Sequence, residues 1–102
     1  MNDPILSRLG MARRAGFISP GFDASKNALL KGKSSLIIMS MDISPKSEKE
    51  MRFFCAEDGV ECIKIDKTIF EITTAIGTKA GIVSVNNEGF AKAIIKNLPD
   101  TK

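Results

Sequence analysis

The sequence predicts an α/β protein, a three-layer α/β/α sandwich with a central mixed sheet of about four strands. Helix-start signals alternate with short apolar runs along the whole chain. The run at residues 36–41 shows no polar–apolar alternation, which indicates a central strand covered on both faces. No linker, internal repeat or low-complexity segment interrupts this order, so we expect one domain over residues 1–102.

The first two helices are predicted from similar start signals. Asp3-Pro4 combines an N-cap with proline at the first helical position, and apolar residues then recur at helical spacing over about residues 4–15. Residues 17–19 can form only a short strand. Ser19-Pro20 repeats the cap-plus-proline signal, which predicts a second helix that runs to Gly32.

The middle of the chain predicts two further helices around a strand. Ser44-Pro45 opens the third helix, Gly59 follows its end, and residues 60–65 form the strand. Thr68 and Glu71 fit a capping box, which predicts a short fourth helix. The inner face of the third helix is predicted to carry Met51, Phe54 and Cys55.

A last strand and a last helix complete the predicted fold. Residues 82–85 are apolar enough for the strand. The helix is predicted to be capped by Asn86 or Asn87 and stopped by Pro99. Its apolar stripe comprises Phe90, Ala91, Ile94, Ile95 and Leu98.

The apolar runs, the first residues and the cysteines indicate where in the cell the protein is located. The longest apolar run is far shorter than the ~20 residues of a membrane span. The first residues lack the basic region of a secretory signal, so we expect a cytoplasmic protein. Cys55 and Cys62 flank the turn at Gly59, and we expect them to be reduced, half-buried thiols.

Catalytic chemistry is poorly represented. The chain has no histidine, so the commonest general acid–base group is missing. The acidic residues near Cys55 and Cys62 would raise a thiol pKa, and no glycine-rich phosphate loop has the required spacing. We expect no enzyme activity, cofactor, metal or small-molecule substrate. An enzyme on small phosphorylated substrates ranks last, with only Gly21 and Lys79 in its favour.

Basic residues concentrate in the first third of the chain. Residues 1–33 carry six Lys or Arg against two Asp, whereas residues 34–102 carry nine against ten acidic residues. A basic end on a nearly neutral body is typical of a protein that contacts phosphates. Solvated side chains clustered by chance explain the distribution equally well, so charge alone leaves both interpretations open.

The start of the second helix is the best candidate contact element. Amide hydrogens at a helix N-terminus attract anions, and Gly21 lets a ligand approach the backbone. The predicted core face comprises Phe22, Ser25, Ala28 and Leu29. The outward residues are Asp23, Lys26, Asn27 and Lys31. These can hydrogen-bond base edges or neutralise phosphates. The alternative is an ordinary capped surface helix.

Several segments, taken in order, resemble one known family. They are Leu-Gly-Met-Ala-Arg-Arg-Ala-Gly at residues 9–16, the helix from Gly21 to Gly32, the strand at 36–40 with Asp42 and Ser44-Pro45-Lys46-Ser47 after it, and Ala75-Ile76-Gly77-Thr78. Over residues 4–97 the chain resembles the ribosomal proteins of the L-seven-Ae and L-thirty-e type, and most nearly their bacterial YlxQ-like branch.

The resemblance implies an α/β/α sandwich that binds kink-turn RNA, an asymmetric bulge flanked by sheared G·A pairs. In this family the second helix enters the groove at the sheared pairs, and the loop before the last strand covers the bulged nucleotides. The implied partners are structured RNA, including ribosomal RNA, and ribosomal or assembly proteins, with no membrane. Together with the charge pattern, the resemblance assigns RNA binding to Arg13, Arg14, Gly21, Asp23, Ala24, Lys26, Asn27, Lys31, Lys33, Thr78, Lys79, Ala80 and Gly81.

The chain departs from the family pattern at the start of the second helix. Family members usually carry Asn-Glu after the glycine and Lys three residues beyond the Glu, whereas this chain has Asp23, Ala24 and Asn27. Asp cannot donate as Asn does, and Ala offers no carboxylate to a guanine. The alternative function is a protein-interaction module that keeps the fold, has lost specific kink-turn recognition, and docks through Met51, Phe53 and Phe54.

Overall fold

The computed structural model describes residues 3–98, so the predicted stop at Pro99 lies outside the described residues. Helices and strands alternate throughout this range. They are α1 (Pro4–Arg14), β1 (Ile18–Pro20), α2 (Phe22–Leu30), β2 (Leu36–Met39), α3 (Pro45–Asp58), β3 (Cys62–Lys64), α4 (Ile69–Ile76), β4 (Ile82–Val85) and α5 (Glu88–Lys96). None of these helices is long and apolar enough to cross a membrane.

The four strands form one mixed sheet in the order β1-β4-β2-β3. β2 and β3 are parallel, whereas β4 is antiparallel to both of its neighbours, β1 and β2. α1, α4 and α5 cover one face of the sheet, and α2 and α3 cover the other. The predicted three-layer α/β/α sandwich with a mixed sheet is therefore confirmed.

β2 lies between two apolar cores, which explains its unbroken apolar sequence. Leu36 and Ile38 pack beneath α1, α4 and α5, whereas Ile37 and Met39 pack against α2 and α3. All four side chains are fully buried. Because successive side chains of a strand point to opposite faces, a strand covered on both faces needs apolar residues at every position.

Capping side chains begin four helices as the sequence predicts. Asp3 caps α1, Ser44 caps α3, and Thr68 with Glu71 forms a complete capping box at α4. Of the two candidate asparagines before α5, Asn87 is the cap. Each cap accepts hydrogen bonds from first-turn amides that would otherwise lack partners.

The predicted start of α2 is wrong. Ser19 and Pro20 belong to β1, where they pair with β4, and α2 begins at Phe22 with Gly21 as its N-cap. Strand pairing overrides the local cap signal. Pro20 is tolerated in β1 because this strand lies at the edge of the sheet.

Other predictions in the fold need smaller corrections. β2 and β3 are shorter than predicted. β2 ends because the chain turns at residues 41–42, and β3 begins late because the Val60 N–H still donates to the Cys55 carbonyl at the end of α3. Ile95 is exposed rather than part of the apolar stripe, and Phe54 is half-buried. The predicted docking surface also changes, because the side chain of Met51 is fully buried in the core and cannot face a partner. The other side chain predicted on the inner face of α3, Cys55, is likewise buried.

Candidate nucleic-acid interface

The sheet topology brings several loops together at one end of the molecule. β1, β2 and β3 run in one direction and β4 runs in the other. Residues after the first three strands therefore meet the residues before β4. We call this the Gly21 end, which comprises residues 21–24, 40–47, 65–69 and 77–81. The opposite end of the strands, which we call the Phe17 end, comprises residues 13–17, 31–35 and 86–90.

A hydrogen bond joins the start of α2 to β4. The Gly21 N–H donates to the Ile82 carbonyl over 2.7 Å. Because residues 78–81 directly precede Ile82, the start of α2 and this loop are neighbours. Gly21 has φ 96 and ψ 164, a conformation that is essentially restricted to glycine. The fold thus places side by side the two elements to which the resemblance assigns RNA binding.

α2 differs from the other helices in its first turn. Within residues 3–98 it has no side-chain cap, whereas α1, α3, α4 and α5 each have one. Its first intrahelical hydrogen bond runs from the Ser25 N–H to the Gly21 carbonyl. The amides of Phe22, Asp23 and Ala24 are therefore available to an anion, which the helix dipole also favours.

A cleft of about 360 Å³ opens at the Gly21 end, a size within the usual range of ligand pockets. The Asp42 carboxylate accepts a hydrogen bond from the Ile69 N–H over 2.9 Å and so fixes two of its loops. A Cβ on Gly81 would lie 3.1 Å from Cγ1 of Ile69, so glycine permits their close packing. The cleft is lined by Phe22, Asp42, Ile43, Ser44, Ser47, Ile69, Gly81 and Ile82.

The Gly21 end contains seven of the predicted contact residues. They are Gly21, Asp23, Ala24, Thr78, Lys79, Ala80 and Gly81. Asp23 and Lys79 are exposed, and Ala24 and Thr78 are half-buried. Ala80 is buried, and its N–H donates to Oγ1 of Thr73 over 3.3 Å. Ala80 therefore supports the loop rather than presenting a side chain to a ligand.

Two predicted residues lie further along α2. Asn27 is exposed, one turn after Asp23, as expected. Lys26 is half-buried, and its Nζ lies 4.6 Å from the centre of the Phe54 ring. This cation–π contact holds the lysine between α2 and α3. Lys26 was predicted to be exposed on the outward face of α2, and its partial burial corrects that prediction.

The remaining predicted residues lie at the Phe17 end. Four basic residues are exposed there: Arg13 and Arg14 in the last turn of α1, and Lys31 and Lys33 just after α2. At this end the Asn86 N–H donates to the Phe17 carbonyl, on the far side of β4 from Gly21. The two hydrogen bonds lie four residue steps apart along β4, from Ile82 to Asn86, which separates the two ends by roughly 13 Å. The structure thus divides the predicted contact residues into two groups.

The fold brings residues to the Gly21 end and to its border that sequence reasoning missed. Phe70 is 77% exposed at the start of α4, and Met41 is 49% exposed after β2. Asp42 and Ser44 line the cleft. These positions could have been suspected, since residues that follow the strands of an α/β sheet commonly form its binding site.

Cys55 and Cys62 differ in burial and in acidity, and the contact between their thiols raises the pKa of Cys55 and lowers the pKa of Cys62. Both are free, and Cys55 is fully buried, which corrects the expectation that it is half-buried, whereas Cys62 is half-buried. Its hydrogen bond with Cys62, together with burial, raises the pKa of the Cys55 thiol. A thiol that stays protonated is a poor nucleophile.

The sequence matches the family described as ribosomal protein L7Ae/L30e/S12e/Gadd45 over residues 3–95. This match spans most of the chain, and the chain therefore belongs to that family. The resemblance seen in the sequence is confirmed. The family is a non-catalytic RNA-binding family, which confirms the expectation that the protein is not an enzyme.

Two solved structures are similar to this fold. One is a protein of unknown function from Bacillus halodurans, with 23% identity and a TM-score of 0.88, covering 94% of this chain and 97% of its own. The other is the Giardia lamblia 15.5kD RNA binding protein, with 15% identity and a TM-score of 0.76. The match covers 92% of this chain and 81% of the Giardia chain. No curated protein sequence matches the chain significantly.

Proposed function

We propose that this protein binds structured RNA at its Gly21 end, and that the preferred RNA is a kink-turn or a similarly bent element. Family membership supports RNA binding in general. The finer proposal rests on the hydrogen bond from Gly21 to Ile82, which holds the uncapped start of α2 beside the loop at 78–81. A bent RNA offers both a widened groove and unstacked bases to such a surface.

Each part of the Gly21 end suits a different part of such an RNA. The amides at the start of α2 and the exposed ammonium of Lys79 suit phosphate oxygens. The Asp23 carboxylate can accept hydrogen bonds from the amino groups of bases. The cleft beside Gly81 combines apolar side chains with the polar Asp42, Ser44 and Ser47, and its volume of about 360 Å³ leaves room for an unstacked base. Shape and a few base edges, rather than a helical groove, would determine specificity.

Asp23 also limits the affinity that this site can reach. Its carboxylate is exposed in the first turn of α2, close to amides that favour anions. A carboxylate repels phosphates and cannot donate a hydrogen bond to a base. An amide at this position would keep an acceptor and add a donor.

We further propose a cytoplasmic setting, with ribosomal RNA or an assembly particle as ligand and ribosomal or assembly proteins as neighbours. The ribosomal-protein family supports this setting. The segments shared with the bacterial YlxQ-like branch support a bacterial one. A ribosomal setting requires that the protein binds structured RNA, so RNA binding is measured first.

The experiment is a binding titration with a kink-turn RNA and with the same RNA whose sheared pairs are replaced by Watson–Crick pairs. Each RNA is titrated at several salt concentrations. We expect tighter binding of the intact RNA, with log affinity falling linearly with log salt. Lys79→Glu and Lys26→Glu are expected to weaken binding about 3- to 10-fold and to lower the salt slope by about 1. Asp23→Asn is expected to strengthen binding.

Lys92→Glu is the matched control, because Lys92 is exposed on α5, away from the Gly21 end. Equal affinity for the two RNAs would rule out specific kink-turn recognition. If Lys79→Glu binds as the wild type does, the Gly21 end is not the site, and if Lys26→Glu also binds unchanged, the start of α2 is not part of it. No RNA binding at low salt, together with capture of a protein partner, would favour the interaction-module alternative.

A further inference from the structure

A row of aromatic side chains crosses the surface between α2 and α3. The Phe22 and Phe54 ring centres are 6.5 Å apart, and the Phe53 and Phe54 centres are 5.6 Å apart. Both pairs meet edge to face at 72°. Phe53 is 61% exposed, so the core does not account for its position. We call the cleft of about 500 Å³ beside these rings the aromatic groove.

Lysines surround the aromatic groove. Lys26, Lys46 and Lys49 line it, and Glu50 is the one acidic residue among its lining residues. Lys46 and Lys49 are exposed, and Lys26 lies over the Phe54 ring. The lining is therefore positive, and its charge is complementary to an anionic ligand that also carries flat apolar groups.

Single-stranded RNA has this combination of properties. Its bases stack on aromatic rings while its phosphates pair with basic side chains, and proteins that bind single strands combine the same two features. The groove is also continuous with the Gly21 end, because Phe22 lines both this groove and the cleft beside Gly81. A strand that leaves a bent RNA at the Gly21 end would meet the groove directly.

We propose that the aromatic groove binds a single-stranded RNA segment, with bases stacked on Phe53 and Phe54 and phosphates paired with Lys26, Lys46 and Lys49. The proposal rests on the proposed RNA-binding function and adds a second contact for the same kind of ligand. It assigns a role to Phe53, which neither the core nor the Gly21 end uses.

The test uses a fluorescein-labelled octauridylate and the whole protein, with binding followed by fluorescence anisotropy. Phe53→Ala removes the exposed ring and is expected to weaken binding about 5- to 100-fold. Lys49→Glu is expected to weaken binding and to reduce the salt slope by about 0.7, as expected for one phosphate contact on a single strand. Ile95→Ala and Lys92→Glu, on the surface of α5, are the matched controls.

The outcomes separate this proposal from the preceding one. Lys79→Glu is expected to weaken binding of the kink-turn RNA and to leave octauridylate binding unchanged. Unchanged octauridylate binding by Phe53→Ala and Lys49→Glu would overturn the groove proposal, whatever the kink-turn result. Tighter, Phe53-dependent binding of a glutamate heptapeptide with a central phenylalanine would also overturn it, in favour of an acidic protein partner. Thermal melts establish that each variant is folded.

Discussion

Asp3 stabilises the fold through two kinds of contact. Its Oδ1 accepts hydrogen bonds from the Ile5 and Leu6 amides over 2.9 and 3.1 Å, and its Oδ2 lies 2.7 Å from Nζ of Lys67. Burial raises the pKa of Asp3, but the hydrogen bonds from Lys67 and from the two amides outweigh it, so the pKa is lowered overall. The ionised carboxylate therefore joins α1 to the segment before α4.

This pair makes stability depend on pH. Because the folded pKa of Asp3 lies below the ordinary value of 3.8, its contribution is present above that pH and lost as pH falls through the folded pKa. We expect Asp3→Asn, which keeps the cap, to lower the free energy of unfolding by about 0.5–1 kcal/mol at pH 7. The difference is expected to shrink near pH 3.

Urea unfolding at pH 7 and pH 3 measures this effect. Asp3→Ala is the companion variant, because it removes the cap as well as the charge and is expected to cost about 1 kcal/mol more than Asp3→Asn at pH 7. If wild type and Asp3→Asn differ in free energy of unfolding by the same amount at pH 3 as at pH 7, the ionised Asp3 carboxylate is not the cause of the difference.

Among the elements, α2 is joined at its start to two strands, β1 and β4. Its buried Ser25 donates from Oγ to the Ser19 carbonyl over 3.1 Å, which ties the helix to β1. Gly21 connects the two with a conformation that other residues rarely adopt, and no atom lies within 4 Å of the position that a Cβ would take. The start of α2 is therefore limited by backbone conformation rather than by space.

Replacing Gly21 tests this limit. Asn tolerates the ordinary left-handed conformation but not the φ 96, ψ 164 of Gly21. We expect Gly21→Asn to lower the free energy of unfolding by about 1–3 kcal/mol. Gly59→Asn is the matched control and is expected to cost less, because Gly59 has φ 67 and ψ 29 and also has open space around it. If Gly21→Asn and Gly59→Asn lose the same free energy of unfolding in urea, the backbone conformation of Gly21 is not what limits the start of α2.

The same element shows what the sequence could and could not predict. The caps at Asp3, Thr68 and Asn87 depend on residues within one turn, so local signals were sufficient. Ser19-Pro20 has an equally good local signal, yet β1 pairs with β4, which lies far along the chain. Local patterns do not contain that pairing, and the predicted helix start was wrong for this reason.

For the whole molecule, the important feature is the separation of its two ends. The sequence identified the start of α2 and the loop at 78–81 one at a time, and family resemblance connected them. The elements alone could not show that the loop at 78–81 lies beside Gly21 rather than beside Arg13 and Lys33, because that depends on the direction of β4 within the sheet. Met41 and Phe70 carry no motif of their own, and only their positions after β2 and β3 could have indicated them.

This separation predicts two kinds of effect on RNA binding. Arg13→Glu combined with Lys33→Glu is expected to lower affinity for intact and altered kink-turn RNA by the same factor, because phosphate contacts carry no sequence information. Lys79→Glu, at the Gly21 end, is the comparison. Parallel titrations with the two RNAs measure the ratio of affinities. A changed ratio in the double variant would place the Phe17 end within the specific site.

The position of β4 also governs how the chain can fold during its synthesis. β4 is the last strand to be made, yet it lies inside the sheet, and β1 pairs with no other strand. Until residues 82–85 have left the ribosome, β1 has no partner and the apolar surfaces of β2 remain partly open. A nascent chain that lacks residues 82–85 cannot complete this four-stranded sheet, so we expect the native sheet to form only after β4 has been synthesised.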